Sequence, residues 1–179
     1  MSHEGKIVKP IETIYNGYKF RSRLEARWAV FFDALNLQWD YEPEGYDLCE
    51  YGYYLPDFWV HCPNHYYHNA GYWVEIKPTN PTDLEMKKCQ ALTILTKHAT
   101  CLLVGGPWPG NGYCRKWHPS FSFSTFMDFP FATSDNFYIA YPCGAAQAES
   151  GESRSLIYVD QAIAANKAKQ ARFEHGENG

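Results

Sequence analysis

Long hydrophobic runs are missing from this chain: none of its 179 residues falls in an apolar segment approaching a membrane span. Met1 to Pro10 is polar and charged, so no secretory leader is expected. Excess positive charge is missing too. Lys and Arg total 16 against 20 Asp and Glu, for a formal net charge of −4 and a pI near 6.0. A protein that grips nucleic acid through a broad electrostatic surface is more basic than this. An enzyme whose own acidic site is offset by bound cations is compatible with it. The six cysteines are irregularly spaced and include no Cys-x-x-Cys. Without an export signal, they read as reduced thiols in a cytoplasmic protein. Gly105-Gly106 is followed by Pro107 and aromatics rather than by Gly-Lys-Ser/Thr, which argues against a nucleotide phosphate loop. No internal repeat is visible.

Aromatics are abundant, at 17% of residues with 14 Tyr and 6 Trp. Core and sheet packing is the main use expected of them, although aromatic rings also stack on bases. A chain of this length suits one domain spanning 1–179.

The informative stretch is Tyr54-Leu55-Pro56-Asp57-Phe58, followed by Trp73-Val74-Glu75-Ile76-Lys77. Both runs, 53–60 and 71–77, are short, apolar and rich in β-branched and aromatic residues, and are expected to be strands. Alternation then sends Trp73, Glu75 and Lys77 to one face and Val74 and Ile76 to the other. Sheet stability alone does not call for Glu and Lys inside so apolar a run. With Asp57 on the neighbouring strand, two carboxylates and an ammonium converge. Such oxygen donors suit a hard divalent cation and metal-assisted attack of water on a phosphodiester. The plainer reading is a solvated hairpin face, with Asp57 in a turn after Pro56.

An amphipathic helix over 22–36 precedes these strands, with Leu24, Trp28, Phe31 and Leu35 as its buried stripe. Ser22-x-x-Glu25 reads as a capping box, Glu25 reaching back to the Ser22 backbone N–H. The alternative is that Glu25 faces the sheet and adds a third carboxylate; the residues leave both open. Lys19, Arg21, Arg23 and Arg27 crowd the start of this helix. They form either a solvated face or, beside a metal site, a hold on phosphate backbone.

Elsewhere, Asn16-Gly17 marks a hairpin turn, and 38–41 reads as a strand. Thr82-x-x-Glu85 opens a second helix reaching Lys97. Its Lys87, Lys88 and Gln90 lie among apolar Leu84, Cys89, Leu92 and Leu95. Residues 101–105 read as a buried strand. Residues 107–157, rich in Gly, Pro, Ser and aromatics, read as an added hairpin region with strands at 121–126 and 136–141 and a linker at 144–155. A C-terminal helix is expected within 158–176, closed by Gly176. The loop His61-Cys62-Pro63-Asn64-His65-Tyr66-Tyr67-His68 has soft zinc donors but lacks paired cysteines, and Cys49, Cys114 and His118 are scattered. A polar surface loop is the default for it.

Taken together, the motifs resemble the PD-(D/E)XK nuclease superfamily, in its small phage and bacterial members. The likeness rests on Phe20-Arg21-Ser22-Arg23-Leu24-Glu25-Ala26-Arg27-Trp28, Tyr41-Glu42-Pro43-Glu44-Gly45, Asp57, Glu75-x-Lys77 and Ala171-Arg172-Phe173-Glu174-His175-Gly176. It covers residues 14–106 and the final helix. The resemblance implies an α/β fold, a mixed central sheet flanked by helices in a restriction-endonuclease-like core. It implies Mg²⁺- or Mn²⁺-dependent hydrolysis of DNA, with RNA left open. Asp57, Glu75 and the Ile76 backbone carbonyl would hold the metal with help from Glu25, and Lys77 would orient or deprotonate the water. Lys88 or Gln90 on the second helix could reach the site. Host cytoplasm is the expected location, no membrane is involved, and a homodimer is allowed. Two rivals stand beside this: an inactive module of the same fold that binds nucleic acid or a host defence protein, and an assembly protein stabilised by zinc in the 61–68 loop.

Overall fold

The computed structural model describes residues 11–61, 71–108, 112–117, 124–128 and 162–173. Thr13–Tyr15 (β1) and Tyr18–Phe20 (β2) pair through a two-residue turn in which Asn16 and Gly17 have φ of 48° and 81°. A type I′ turn needs positive φ at both positions, and Asn-Gly supplies it at least steric cost. Ser22 then caps α1, Arg23–Ala34, its hydroxyl accepting the Glu25 backbone N–H at 3.2 Å. Trp28 and Phe31 are fully buried, whereas Leu24 and Leu35 are only partly covered; Ala26, Ala29, Val30 and Phe32 fill out the buried face. The face is wider than the expected stripe because α1 shares one core with both the sheet and a C-terminal helix, α3 (162–170).

The remaining elements are Trp39–Tyr41 (β3), Tyr46–Asp47 (β4), Tyr53–Tyr54 (β5), Phe58–His61 (β6), Gly71–Lys77 (β7), Asp83–Thr96 (α2), Thr100–Gly105 (β8), Gly112–Trp117 (β9) and Ser124–Asp128 (β10), with a short 3₁₀ turn at Cys49–Tyr51. The main sheet has six strands in the order β10-β9-β8-β7-β6-β3. Only β7 and β8, joined by α2, run parallel. The other neighbours are antiparallel. The molecule is therefore mixed α/β, with helices on both faces of one mixed sheet. Side-chain alternation divides the core. Cys101 and Leu103 of β8 face α1 and α3, and Leu102 and Val104 face α2. Among the described residues, no helix is long and apolar enough to cross a membrane.

Some expected elements change. The run 53–60 is not one strand. Tyr53–Tyr54 pairs with Tyr46–Asp47 in a small separate hairpin, and only Phe58–His61 joins the main sheet. Pro56 lies at the break: it has no N–H for a ladder. Asp57 thus sits in the connector just before β6 rather than within a strand. Beyond Pro107, β9 pairs with β8 and β10 with β9, so this part is a continuation of the sheet rather than an appended hairpin. The strand expected at 121–126 is observed at Ser124–Asp128. The strand at 136–141, the linker at 144–155, the Gly176 cap and nearly all of the 61–68 loop lie outside the described residues.

Candidate active site

Strand β7 carries its last three residues to one end of the sheet. Val74 and Ile76 pack into the α1 core, and Trp73 packs on the α2 side. Glu75 and Lys77 share the side of Trp73, as a period of two requires. Phe58 pairs with Val74, so Asp57, one residue earlier, falls beside Glu75. There the Ile76 N–H donates to Asp57 Oδ2 at 2.7 Å. A side chain thus takes over the amide just outside the start of strand β6. Arg21 Nη2 donates to the other oxygen, Oδ1, also at 2.7 Å.

Glu25 enters from the first turn of α1. Its Oε1 accepts the Ser22 hydroxyl at 2.6 Å, and its Oε2 accepts the Tyr41 hydroxyl at 2.6 Å and the Arg21 backbone N–H at 3.2 Å. The expected capping box is therefore altered: the backbone group bonded by Glu25 belongs to Arg21, not Ser22. The box on α2 is complete. Glu85 Oε2 accepts the Thr82 N–H at 2.7 Å, and the Thr82 hydroxyl accepts the Glu85 N–H at 3.3 Å. The other oxygen of Glu85 lies 2.9 Å from Lys77 Nζ, which also lies 2.8 Å from Glu75 Oε1. Glu25, Asp57, Glu75 and Lys77 line one cleft of about 970 Å³, together with Arg21 and Lys88.

The electrostatics of this cleft are strained. Asp57, Glu75 and Glu25 are only 3%, 5% and 8% exposed. Burial pushes the Asp57 carboxyl well above the usual carboxylate range, and the charges of Glu75 and Glu25 push it further; the Ile76 N–H and Arg21 oppose this without overcoming it. Lys77 shows the reverse balance. Burial works against its ammonium, but Glu75 and Glu85 outweigh burial and raise its pKa, so it stays charged at neutral pH. Burial also raises the Tyr41 hydroxyl, aided by its bond to Glu25. Tyr54, buried beside Glu75, is raised by burial, then by Cys89 and Glu75. Its hydroxyl shares a hydrogen bond with Cys89 Sγ at 3.5 Å. Glu75 Oε2 is left buried without a well-aligned hydrogen-bond partner. An acceptor so poorly satisfied is costly unless something positive meets it.

The donors here are all oxygens, which suits a hard cation. Among the described residues, however, no three acidic, His or Cys side chains already form a metal cluster. Arg21 and Lys77 provide the positive charge. Each oxygen of Asp57 accepts one hydrogen bond, so a cation there would take a remaining lone pair and compete with the Arg21 guanidinium for the charge. That side chain is 56% exposed and also lies 2.6 Å from Glu42 Oε1, misaligned for a hydrogen bond. It can swing into solvent without leaving a buried charge of its own.

The other candidates separate. Lys88 Nζ bonds the Tyr53 carbonyl at 3.3 Å at the cleft wall, while Gln90 is exposed and does not line it. Lys19 pairs with Glu12 at 2.8 Å outside the cleft. Arg23 lines the cleft and Arg27 does not. His61 lies 2.7 Å from Asp40 Oδ2, and Cys114 is buried in the core. Sequence reasoning missed Tyr41, Glu42, Tyr54 and Glu85 as members of the site. Only Glu85 carried a local signal, and that signal was for a helix cap. Searches against protein-family models, curated proteins and solved structures found no match to this chain.

Proposed function

We propose that the protein is a metal-dependent nuclease with a restriction-endonuclease-like core, acting on DNA phosphodiesters in the cytoplasm, of the small phage type. The observation that supports this most is the buried pair Asp57 and Glu75, side by side beside a charged Lys77, with one Glu75 oxygen lacking a well-aligned hydrogen-bond partner. Asp57 and Glu75 would hold Mg²⁺ or Mn²⁺, completed by the Ile76 carbonyl and Glu25. The bound cation supplies activation of water and neutralisation of charge at the phosphate. Lys77, held protonated by Glu75 and Glu85 in the metal-free protein, stabilises developing negative charge and orients water. Arg21 leaves Asp57 and is then free to meet a phosphate oxygen.

A second reading is favoured by the Arg21–Asp57 pair and the absence of a ready cluster among the described residues: an inactive binding module in which Arg21 has permanently taken the cation's place. Incubating the full chain with labelled linear, circular and branched DNAs separates the two, with Mn²⁺ or with chelator. Mn²⁺-dependent cutting is expected, and Glu75→Gln should lower it by about a hundredfold or more, roughly 3 kcal/mol of transition-state stabilisation. Absence of cutting, with no Mn²⁺ uptake by calorimetry, would establish the module.

A further inference from the structure

A second cleft, of about 570 Å³, is lined by Arg23 and Arg27 of α1 and by Lys169, Gln170 and Arg172 at the end of α3. Four of its lining residues are cationic and none is acidic, in a chain whose net charge is −4. Among the described residues, Arg27, Lys169 and Arg172 take part in no ion pair. Arg27 Nε is buried without a hydrogen-bond partner, and its guanidinium lies over the Trp108 ring at 5.5 Å. Arg23 and Arg27 stand one helical turn apart, about 6 Å along the axis, on the same face of α1. Like charges at this spacing repel. A single small anion would leave much of the charge of Arg27, Lys169 and Arg172 uncompensated, whereas a chain of phosphates offers one negative charge after another. Arg23 also lines the acidic cleft, so the two clefts adjoin through it.

We propose that this basic cleft binds the phosphodiester backbone of a nucleic acid next to the position that reaches Asp57 and Glu75. The choice of nucleic acid as the polyanion rests on the proposed function; the cleft's affinity for consecutive phosphates rests on its own side chains. Backbone contacts of this kind position a substrate without reading its sequence.

The test is binding of a fluorescent DNA duplex to the full chain in Ca²⁺, followed by anisotropy across a salt series. Lys169 and Arg172 are exposed, so Lys169→Ala/Arg172→Ala should melt like the wild type. Lys167→Ala, on the same helix but outside the cleft, is the charge control. The double variant should bind about tenfold or more weakly, and its log–log salt slope should fall by about 1.8, or 0.9 for each lost phosphate contact. The control should retain the wild-type slope. Wild-type affinity and slope in the double variant, or an equal loss in Lys167→Ala, overturn the inference. So does wild-type binding only to an acidic polypeptide. A wild type that cuts with Mn²⁺ while the double variant binds normally refutes this cleft alone. A wild type that binds through these residues but never cuts refutes the proposed chemistry alone.

Discussion

Glu25 is both a cap and a candidate ligand, and its two roles respond differently to substitution. Its carboxylate accepts two short hydroxyl bonds, from Ser22 and Tyr41, each 2.6 Å, and shares the Arg21 N–H with the Tyr41 hydroxyl. Water does not readily replace them at a side chain only 8% exposed. Hydrogen bonds to a charged group contribute about 1.5–3 kcal/mol each, so Glu25→Ala should cost roughly 3–6 kcal/mol. At about 2–4 °C per kcal/mol for a chain of this size, Tm should drop by about 6–24 °C. Glu25→Gln can keep the arrangement. Its amide oxygen accepts from Tyr41 and Arg21, and its NH₂ donates to the Ser22 oxygen. It should cost about 1 kcal/mol or less, no more than Ser22→Ala. The measurements are thermal melts, Mn²⁺ calorimetry and cleavage rates on all three variants. A metal role predicts that Glu25→Gln stays folded but binds Mn²⁺ about tenfold more weakly and cuts slowly, while Ser22→Ala cuts normally. Wild-type metal affinity and rate in Glu25→Gln would remove Glu25 from the site. A Glu25→Ala melt within about 0.5 kcal/mol of wild type would refute the energetic account of the network.

Asp57→Asn should melt higher than the wild type at about pH 7 in chelator. Below the unfolded-state pKa of about 3.9 both states hold the proton; above it the unfolded chain ionises first, so the raised folded-state pKa subtracts stability as pH rises. The advantage should therefore vanish near about pH 4, and a lower Tm than wild type at neutral pH would sink this reasoning. Lys77 should give no basic limb in the rate profile below about pH 10, because Glu75 and Glu85 hold its proton. Lys77→Arg should retain part of the rate that Lys77→Met loses, whereas a limb near about pH 8 that disappears in Lys77→Arg would make Lys77 the base.

What was legible in the sequence were features set by neighbouring residues. The Asn16-Gly17 turn, the Thr82–Glu85 box and the alternation of β7 each depend on a few consecutive side chains, and each is present. The split at Pro56 was also a local signal, but apolar residues on both sides masked it. Strand β9 was hidden because Arg115 and Lys116 interrupt its apolar pattern and Gly110 and Gly112 open it. The site's deeper wiring was out of reach. Arg21 meets Asp57 across 36 residues, and Tyr41 meets Glu25 across 16. Only the folded sheet defines those pairs. The meeting of Arg27 with Lys169 and Arg172 is more remote still, because it depends on how α3 packs beside α1.

The bond from the Ile76 amide to Asp57 has a spectroscopic consequence. That amide is held by a carboxylate rather than by a neighbouring strand's carbonyl. Its nuclear resonance therefore follows the ionisation of a single side chain, while the amides of Val74 and Trp73 follow the sheet. Its hydrogen exchange separates from theirs in the same way: local release of Asp57 exposes one amide without opening the strand. One backbone signal can thus serve as an internal gauge of whether Asp57 is protonated, paired with Arg21 or drawn toward a cation, in the intact protein and without a label.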